Sequence, residues 1–193
     1  MKNMLLHTDV IEGLLQPETD TEKKLIRDPE FRQGLFWGKP RYGHPEGKII
    51  FHIAEVLKNI DLLDIDGSTR RQLREVAFLH DTFKHIEDMN RPRDWSRHHS
   101  VLARKFAEDF IEDELVLDII EFHDEAFYSW RSQFVFGQKE KGEARMKRLL
   151  KNVEDKIQPF YLFFKCDTQT GDKIQKPLFW FEETVPNIQI VNF

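Results

Sequence analysis

The sequence predicts an all-α fold, a bundle of helices packed around one apolar interior. Apolar residues recur at helical spacing over most of the chain after Lys48. Glycine is sparse (9 of 193 residues) and Phe is frequent (17), a composition suited to long helices packed by aromatic side chains. No internal repeat or low-complexity linker breaks the pattern. A chain of this length can bury one sizeable core, so 1–193 reads as a single domain. Within it, 1–43 form lead-in segments, 44–172 the core and 173–193 a packed tail.

Residues 1–20 and 22–37 read as short, partly helical segments, and KPRYGHPEGK (39–48) as a loop punctuated by Pro and Gly. Ile49, Ile53, Val56, Leu57 and Ile60 then mark a helix that stops at Asp66-Gly67-Ser68. Ser68 or Thr69 is the expected cap of the next helix, with Leu73, Val76, Ala77 and Leu79 on its apolar face. The polar stretch EDMNRPRDWSR interrupts at Pro92. A third helix is expected over 95–111 (Leu102, Ala103, Phe106, Ala107, Phe110) and a fourth over 112–127 (Leu115, Val116, Ile119, Ile120, Phe127). QFVFGQKEKGEA reads as an exposed loop. A fifth helix is expected from Glu143 to Cys166 or beyond, with Pro159 able to kink it. The tail PLFWFEETVPNIQIVNF is apolar enough to pack on the body, for example as a short strand or hairpin, and its aromatics leave oligomerisation open.

Composition narrows the function classes. The formal charge of -5 argues against a protein that wraps nucleic acid, so no stable DNA complex is expected. It is compatible with a small phosphorylated substrate held by a few cations. Cys166 stands alone, which excludes an intramolecular disulfide and a Cys-based zinc knuckle. No stretch has the apolar length of a signal peptide or a membrane span, so a cytoplasmic protein without membrane partners is expected.

The placement of His and Asp on the apolar faces is more informative. His52 follows Ile49 by three and precedes Val56 by four. His80 follows Ala77 by three and Val76 by four, with Asp81 adjacent. His99 precedes Leu102, Ala103, Phe106 and Phe110 by three, four, seven and eleven, near the middle of its buried face, whereas His98 falls toward the edge. His123 follows Ile120 by three and Ile119 by four, and Asp167 follows Phe164 and Phe163 in the same way. A single His of this kind is usually a hydrogen-bonded core residue. Four His and two Asp obeying one rule in five helices point instead to a shared interior point, because burying such groups unsatisfied is costly. Imidazole and carboxylate donors suit one or two divalent ions of Mn, Fe, Ni, Mg or Zn.

The ordered set His52, His80-Asp81, His99, His123 and Asp167 resembles the HD-domain superfamily of metal-dependent phosphohydrolases, over about residues 44–172. FLHDTFK is similar to that family's extended dyad motif, with Lys84 three after Asp81, although Thr82-Phe83 replaces the Ile-Gly of many members. GHPEGKIIFHIAEVL resembles the start of the HD domain of bacterial tRNA nucleotidyltransferases, a hint of nucleotide or RNA-end substrates. The Glu-Asp motif of alarmone hydrolases and the Gly-Tyr-Pro motif of cyclic-dinucleotide phosphodiesterases are missing, and His123-Asp124 is a second His-Asp pair to which no role is given.

The resemblance implies an HD-like bundle with the metal site in its interior. It implies that His52, His80, Asp81 and Asp167 bind one ion, that His99 and His123 bind a second, and that Asp81 bridges. Two such ions clamp a phosphoryl group and activate water, which implies hydrolysis of a phosphomonoester or cyclic phosphodiester. Lys84, one turn beyond the dyad, is placed to meet phosphate or to lie solvated on its helix. Asp81 and Lys84 are the expected catalytic residues. Arg91, Arg93 and Arg97 lead into His99 and are candidates for substrate phosphate, the alternative being a solvated basic loop. Arg145 and Arg148 are weaker candidates, His85 is a candidate acid, and His44 reads as a loop hydrogen-bonding residue. Tyr128 and Trp130 can stack on a base or simply pack. Two other functions compete: a catalytically silent nucleotide sensor, and a di-iron oxygenase of the same fold.

Overall fold

The computed structural model describes residues 2–192, with the side chains of residues 8–192. The described residues form eleven α-helices: α1 (Lys2–Leu15), α2 (Asp20–Leu25), α3 (Pro29–Leu35), α4 (Ile49–Asp61), α5 (Gly67–Leu79), α6 (His99–Ala107), α7 (Glu114–Phe122), α8 (Glu125–Phe134), α9 (Lys139–Asn152), α10 (Ile157–Thr168) and α11 (Lys176–Thr184). Short 3-10 turns lie at Thr82–Ile86, Trp95–Arg97 and Glu154–Lys156. Among the described residues there is no strand, only an isolated bridge between Arg41 and His44. No described helix is long and apolar enough to cross a membrane.

α4, α5, α7 and α10 enclose the interior, with α5 packed on the other three. Their buried faces carry the predicted residues, among them Ile53, Val56, Ile60, Leu73, Val76, Ala77, Ile119 and Ile120, and Phe31, Phe78, Phe160, Phe163 and Phe181 fill the core. Ile11, Leu15, Leu25, Phe31 and Leu35 of the lead-in helices join the same apolar cluster. α2 opens with a capping box, in which Thr19 accepts from the Glu22 backbone and Glu22 reaches back to Thr19. α3 packs against the turn that follows the His80-Asp81 pair. A methyl group on Gly34 would lie 1.9 Å from the Thr82 carbonyl oxygen, so only glycine lets the two backbones approach this closely.

Several sequence expectations need correction. The tail is not a strand or hairpin, because α11 occupies Lys176–Thr184. Leu178, Phe181 and Val185 are buried at spacings of three and four, a helical period, and Pro177 sits at the helix start, where its missing N–H costs nothing. α5 is capped not by Ser68 or Thr69 but by Asp66, whose carboxylate accepts from the backbone N–H of both. The helix expected over 95–111 begins only at His99. That expected over 112–127 breaks at His123-Asp124 into α7 and α8, and that over 143–166 breaks at Val153 into α9 and α10. Pro159 does not kink α10, since it lies in the first turn, where backbone N–H groups have no intrahelical acceptor.

Candidate metal centre

Two helices end on a His-Asp pair. His80 caps the C-terminus of α5 with Asp81 following, and His123 caps that of α7 with Asp124 following. The last carbonyls of a helix have no intrahelical donor. Each imidazole satisfies one of them, His80 Nδ1 donating to the Ala77 oxygen at 3.0 Å and His123 Nδ1 to that of Ile120 at 2.8 Å. The carbonyls thereby make Nδ1 the donor on each ring and direct Nε2 inward, where it offers a lone pair whenever the imidazole is neutral.

Those lone pairs meet other donors. His52 Nε2, from α4, lies 3.2 Å from His80 Nε2 and 2.9 Å from Asp167 Oδ1. Asp81 Oδ2 is 3.6 Å from both of these imidazoles. On the other side, His99 Nε2, from the start of α6, lies 3.4 Å from His123 Nε2. Asp81 Oδ1 is 3.4 Å from His99 and 3.5 Å from His123, and Asp124 Oδ2 is 3.3 Å and 3.8 Å from the same nitrogens. The two oxygens of Asp81 thus face two different donor sets. Behind them, Glu87 Oε2 stands 3.3 Å from His99 Nδ1, and Thr170 Oγ1 stands 3.4 Å from His52 Nδ1.

Ring nitrogens facing each other at these distances need a proton or a cation between them, and among the described residues Asp81 Oδ1 is buried without a hydrogen-bond donor. Separations of 3.2–3.6 Å match the edges of a coordination polyhedron with bonds of roughly 2.0–2.2 Å. Nitrogen and oxygen donors without sulfur suit a hard or borderline ion. The buried clusters His52–His80–Asp81 and Asp81–His99–His123 could each hold a metal ion.

No family model, curated protein or solved structure matches the chain. Its own geometry therefore carries the functional argument.

The structure brings all six predicted ligands together. Asp124 joins them, and the signal for it was the repetition of the His-Asp pair at a second helix end. Glu87 was also missed, since it comes from the irregular segment after the dyad, where no periodicity reports direction. Lys84 Nζ lies 2.5 Å from Asp81 Oδ2, and Lys173 Nζ, unpredicted, lies 2.8 Å from Asp167 Oδ1. Both lysines line a cavity of about 260 Å³ beside the cluster, with Asp81, His123, Asp124, Asp167 and His44. His44 is hydrogen-bonded to Glu46 at 3.0 Å, as expected of a loop histidine, yet it also forms part of the cavity wall. Arg91, Arg93, Arg97 and His85 are not among the lining residues. Arg93 pairs with Glu87, Arg91 and Arg97 are exposed, and His85 is turned to the Thr82 carbonyl at 3.1 Å.

Burial alone would raise the Asp81 pKa, but neighbouring positive charge, Lys84 foremost, outweighs it and holds the carboxyl well below its usual range. Asp124 is depressed against the same opposition by His123 and His99. Burial pushes His80 down to about 3, keeping it neutral. At His123 burial acts in the same direction, yet Asp124 and Asp81 prevail and raise it to about 9. A cation entering the Asp81–His99–His123 set must displace that proton. Its affinity is expected to weaken as pH falls below about 9, by up to roughly tenfold per unit. Calorimetric titration of Mn or Zn across that range checks this; a flat profile contradicts it.

His98 and His99 are both buried but differ in task. His98 Nδ1 accepts from the Ser100 backbone N–H at 3.3 Å and caps α6, so its proton lies on Nε2, 3.1 Å from the Tyr128 hydroxyl. His99→Ala is expected to lose one equivalent of bound ion. His98→Ala is expected to keep the ion and lose about 1 kcal/mol of stability with the cap. Metal analysis of the two variants decides between them, and ion loss in the His98 variant alone would reverse the assignment.

Proposed function

We propose that the chain is a metal-dependent phosphohydrolase of the HD-domain type, cleaving a phosphomonoester or cyclic phosphodiester of a nucleotide or RNA end. One observation carries this reading: a single carboxylate, Asp81, turns one oxygen to His52 and His80 and the other to His99 and His123. That arrangement suits a pair of divalent ions, one held with Asp167 and the other with Asp124. Bound there, such ions supply Lewis acidity to a phosphoryl oxygen and lower the pKa of water.

The remaining work falls to the chain itself. Lys84 and Lys173 present two ammonium groups to the cavity, and burial of Lys84 is more than offset by Asp81 and Asp124, so it stays charged. A phosphate entering beside the carboxylates therefore meets positive charge at once. Tyr42, Phe127, Phe164, Ile174 and Pro177 form the apolar part of the same cavity. A substrate with a phosphate at one end and a flat, weakly polar group at the other matches this division, and a nucleoside phosphate is such a molecule. A duplex does not fit a cavity of about 260 Å³.

The test is metal analysis of purified protein, followed by release of phosphate or alcohol from mono- and diester substrates. Turnover that requires Mn, Fe, Ni, Mg or Zn is expected. Lys84→Ala is expected to keep its ion content and lose about 10²-fold in kcat. A metal-loaded protein inert toward every ester defeats the proposal, and nucleotide-induced stabilisation without turnover would reassign the cavity to sensing.

A further inference from the structure

A second concave surface lies apart from the metal centre and shares no lining residue with its cavity. It is a groove of about 380 Å³ between the 91–95 segment, α8 and the start of α9. Arg91, Arg93, Arg131, Lys141 and Arg145 line it, and no acidic residue does, although Asp and Glu outnumber Lys and Arg by 34 to 29 in the chain. Arg93 and Arg145 are neutralised by Glu87 and Glu125. Among the described residues, Arg91, Arg131 and Lys141 form no ion pair with a carboxylate.

The guanidinium groups are held over rings. Arg131 lies 4.8 Å from the Tyr128 ring centre and 5.5 Å from that of Phe136, while Arg145 lies 4.7 Å from Trp95 and 5.1 Å from Tyr128. Trp95 and Phe136 remain 47% and 57% exposed, an unfavourable arrangement for a surface with no occupant. A second depression shares Trp95, Lys141 and Arg145 with the groove, but Glu121 and Glu125 line it and Arg148 is paired with Glu125, so the unopposed positive charge is confined to the first groove.

We propose that this groove binds a short single-stranded nucleic acid, with phosphates on the unpaired cations and bases stacked on the exposed rings and guanidinium planes. Concavity and ring exposure disfavour a flat anionic bilayer. A duplex hides the base faces that the rings would meet. The formal charge of -5 confines the contact to this local track rather than a broad face. Binding here needs no ion at the histidine cluster, so it stands independently of the hydrolase reading.

Fluorescence anisotropy in chelator, with full-length protein and a labelled single-stranded RNA of roughly 12 nucleotides, tests it. Saturable binding is expected, stronger than for a duplex of the same length. The charge-reversed variant Arg131→Glu/Lys141→Glu should bind at least about tenfold more weakly and lower the slope of log Kd against log salt by roughly 1.4. Phe136→Ala, at an exposed position, should weaken binding about tenfold with the salt slope unchanged. No RNA binding, equal binding of duplex, or indifference to both variants would overturn the proposal. Because chelator removes turnover from the measurement, failure here and failure of the hydrolase reading are told apart.

Discussion

Asp81→Asn is expected to remove bound metal from both donor sets and to lower turnover by about three orders of magnitude, roughly 4 kcal/mol of barrier. The size of the effect follows from position rather than from charge alone. Every other ligand faces one set, whereas Asp81 faces His52 and His80 with Oδ2 and His99 and His123 with Oδ1. An amide offers one neutral oxygen and one N–H₂, so at least one set would confront donor hydrogens instead of a lone pair. The substitution also strands Lys84, whose ammonium lies 2.5 Å from the lost carboxylate oxygen. Ion content by mass spectrometry and kcat on a chromogenic phosphoester are the readouts. A variant that keeps both ions and near-normal kcat would show that Asp81 does not bridge.

Glu22→Ala is expected to destabilise the fold by about 3–5 kcal/mol without touching the metal centre. Glu22 is wholly buried, and its carboxylate accepts from Arg74 Nε at 2.9 Å and Nη2 at 3.1 Å. Arg74 in turn is 2% exposed and lies on α5, the helix that ends on His80. Removing the acid leaves a guanidinium in the interior whose remaining partners among the described residues are the Gln16 carbonyl at 3.0 Å, the half-exposed Glu18 and the face of the Phe78 ring. It also breaks the capping box of α2. For a chain of this size the midpoint should fall by about 6–20 °C. Replacing both partners, Glu22→Leu with Arg74→Met, should recover most of the loss, because the desolvation cost of both charges disappears together. Thermal denaturation of the three proteins provides the check. A double variant no more stable than Glu22→Ala would locate the loss in packing or capping rather than in the unpaired charge.

The amino-acid sequence by itself determined the all-α character and the inward placement of His52, His80, Asp81, His99 and His123, since both follow from residue spacing. A buried face repeats every three or four positions whatever the helix packs against, so a polar residue in that register is visible without coordinates. The same logic is silent where the chain leaves the helical period. Glu87 follows a 3-10 turn and Lys173 follows the end of α10, and their directions were set only by the packing of neighbouring elements. Helix ends were also settled there. The carbonyls freed at Ala77 and Ile120 were taken by imidazole N–H groups, which turned two ordinary-looking His-Asp pairs into matched halves of one cluster and made Asp124 a member. The division of the Asp81 oxygens between two donor sets, and the gathering of Arg91, Arg131 and Lys141 into one groove, join residues distant in the chain. Coulombic and coordination energies depend on distances between such groups. Those distances exist only once α4, α5, α6, α7 and α10 are packed.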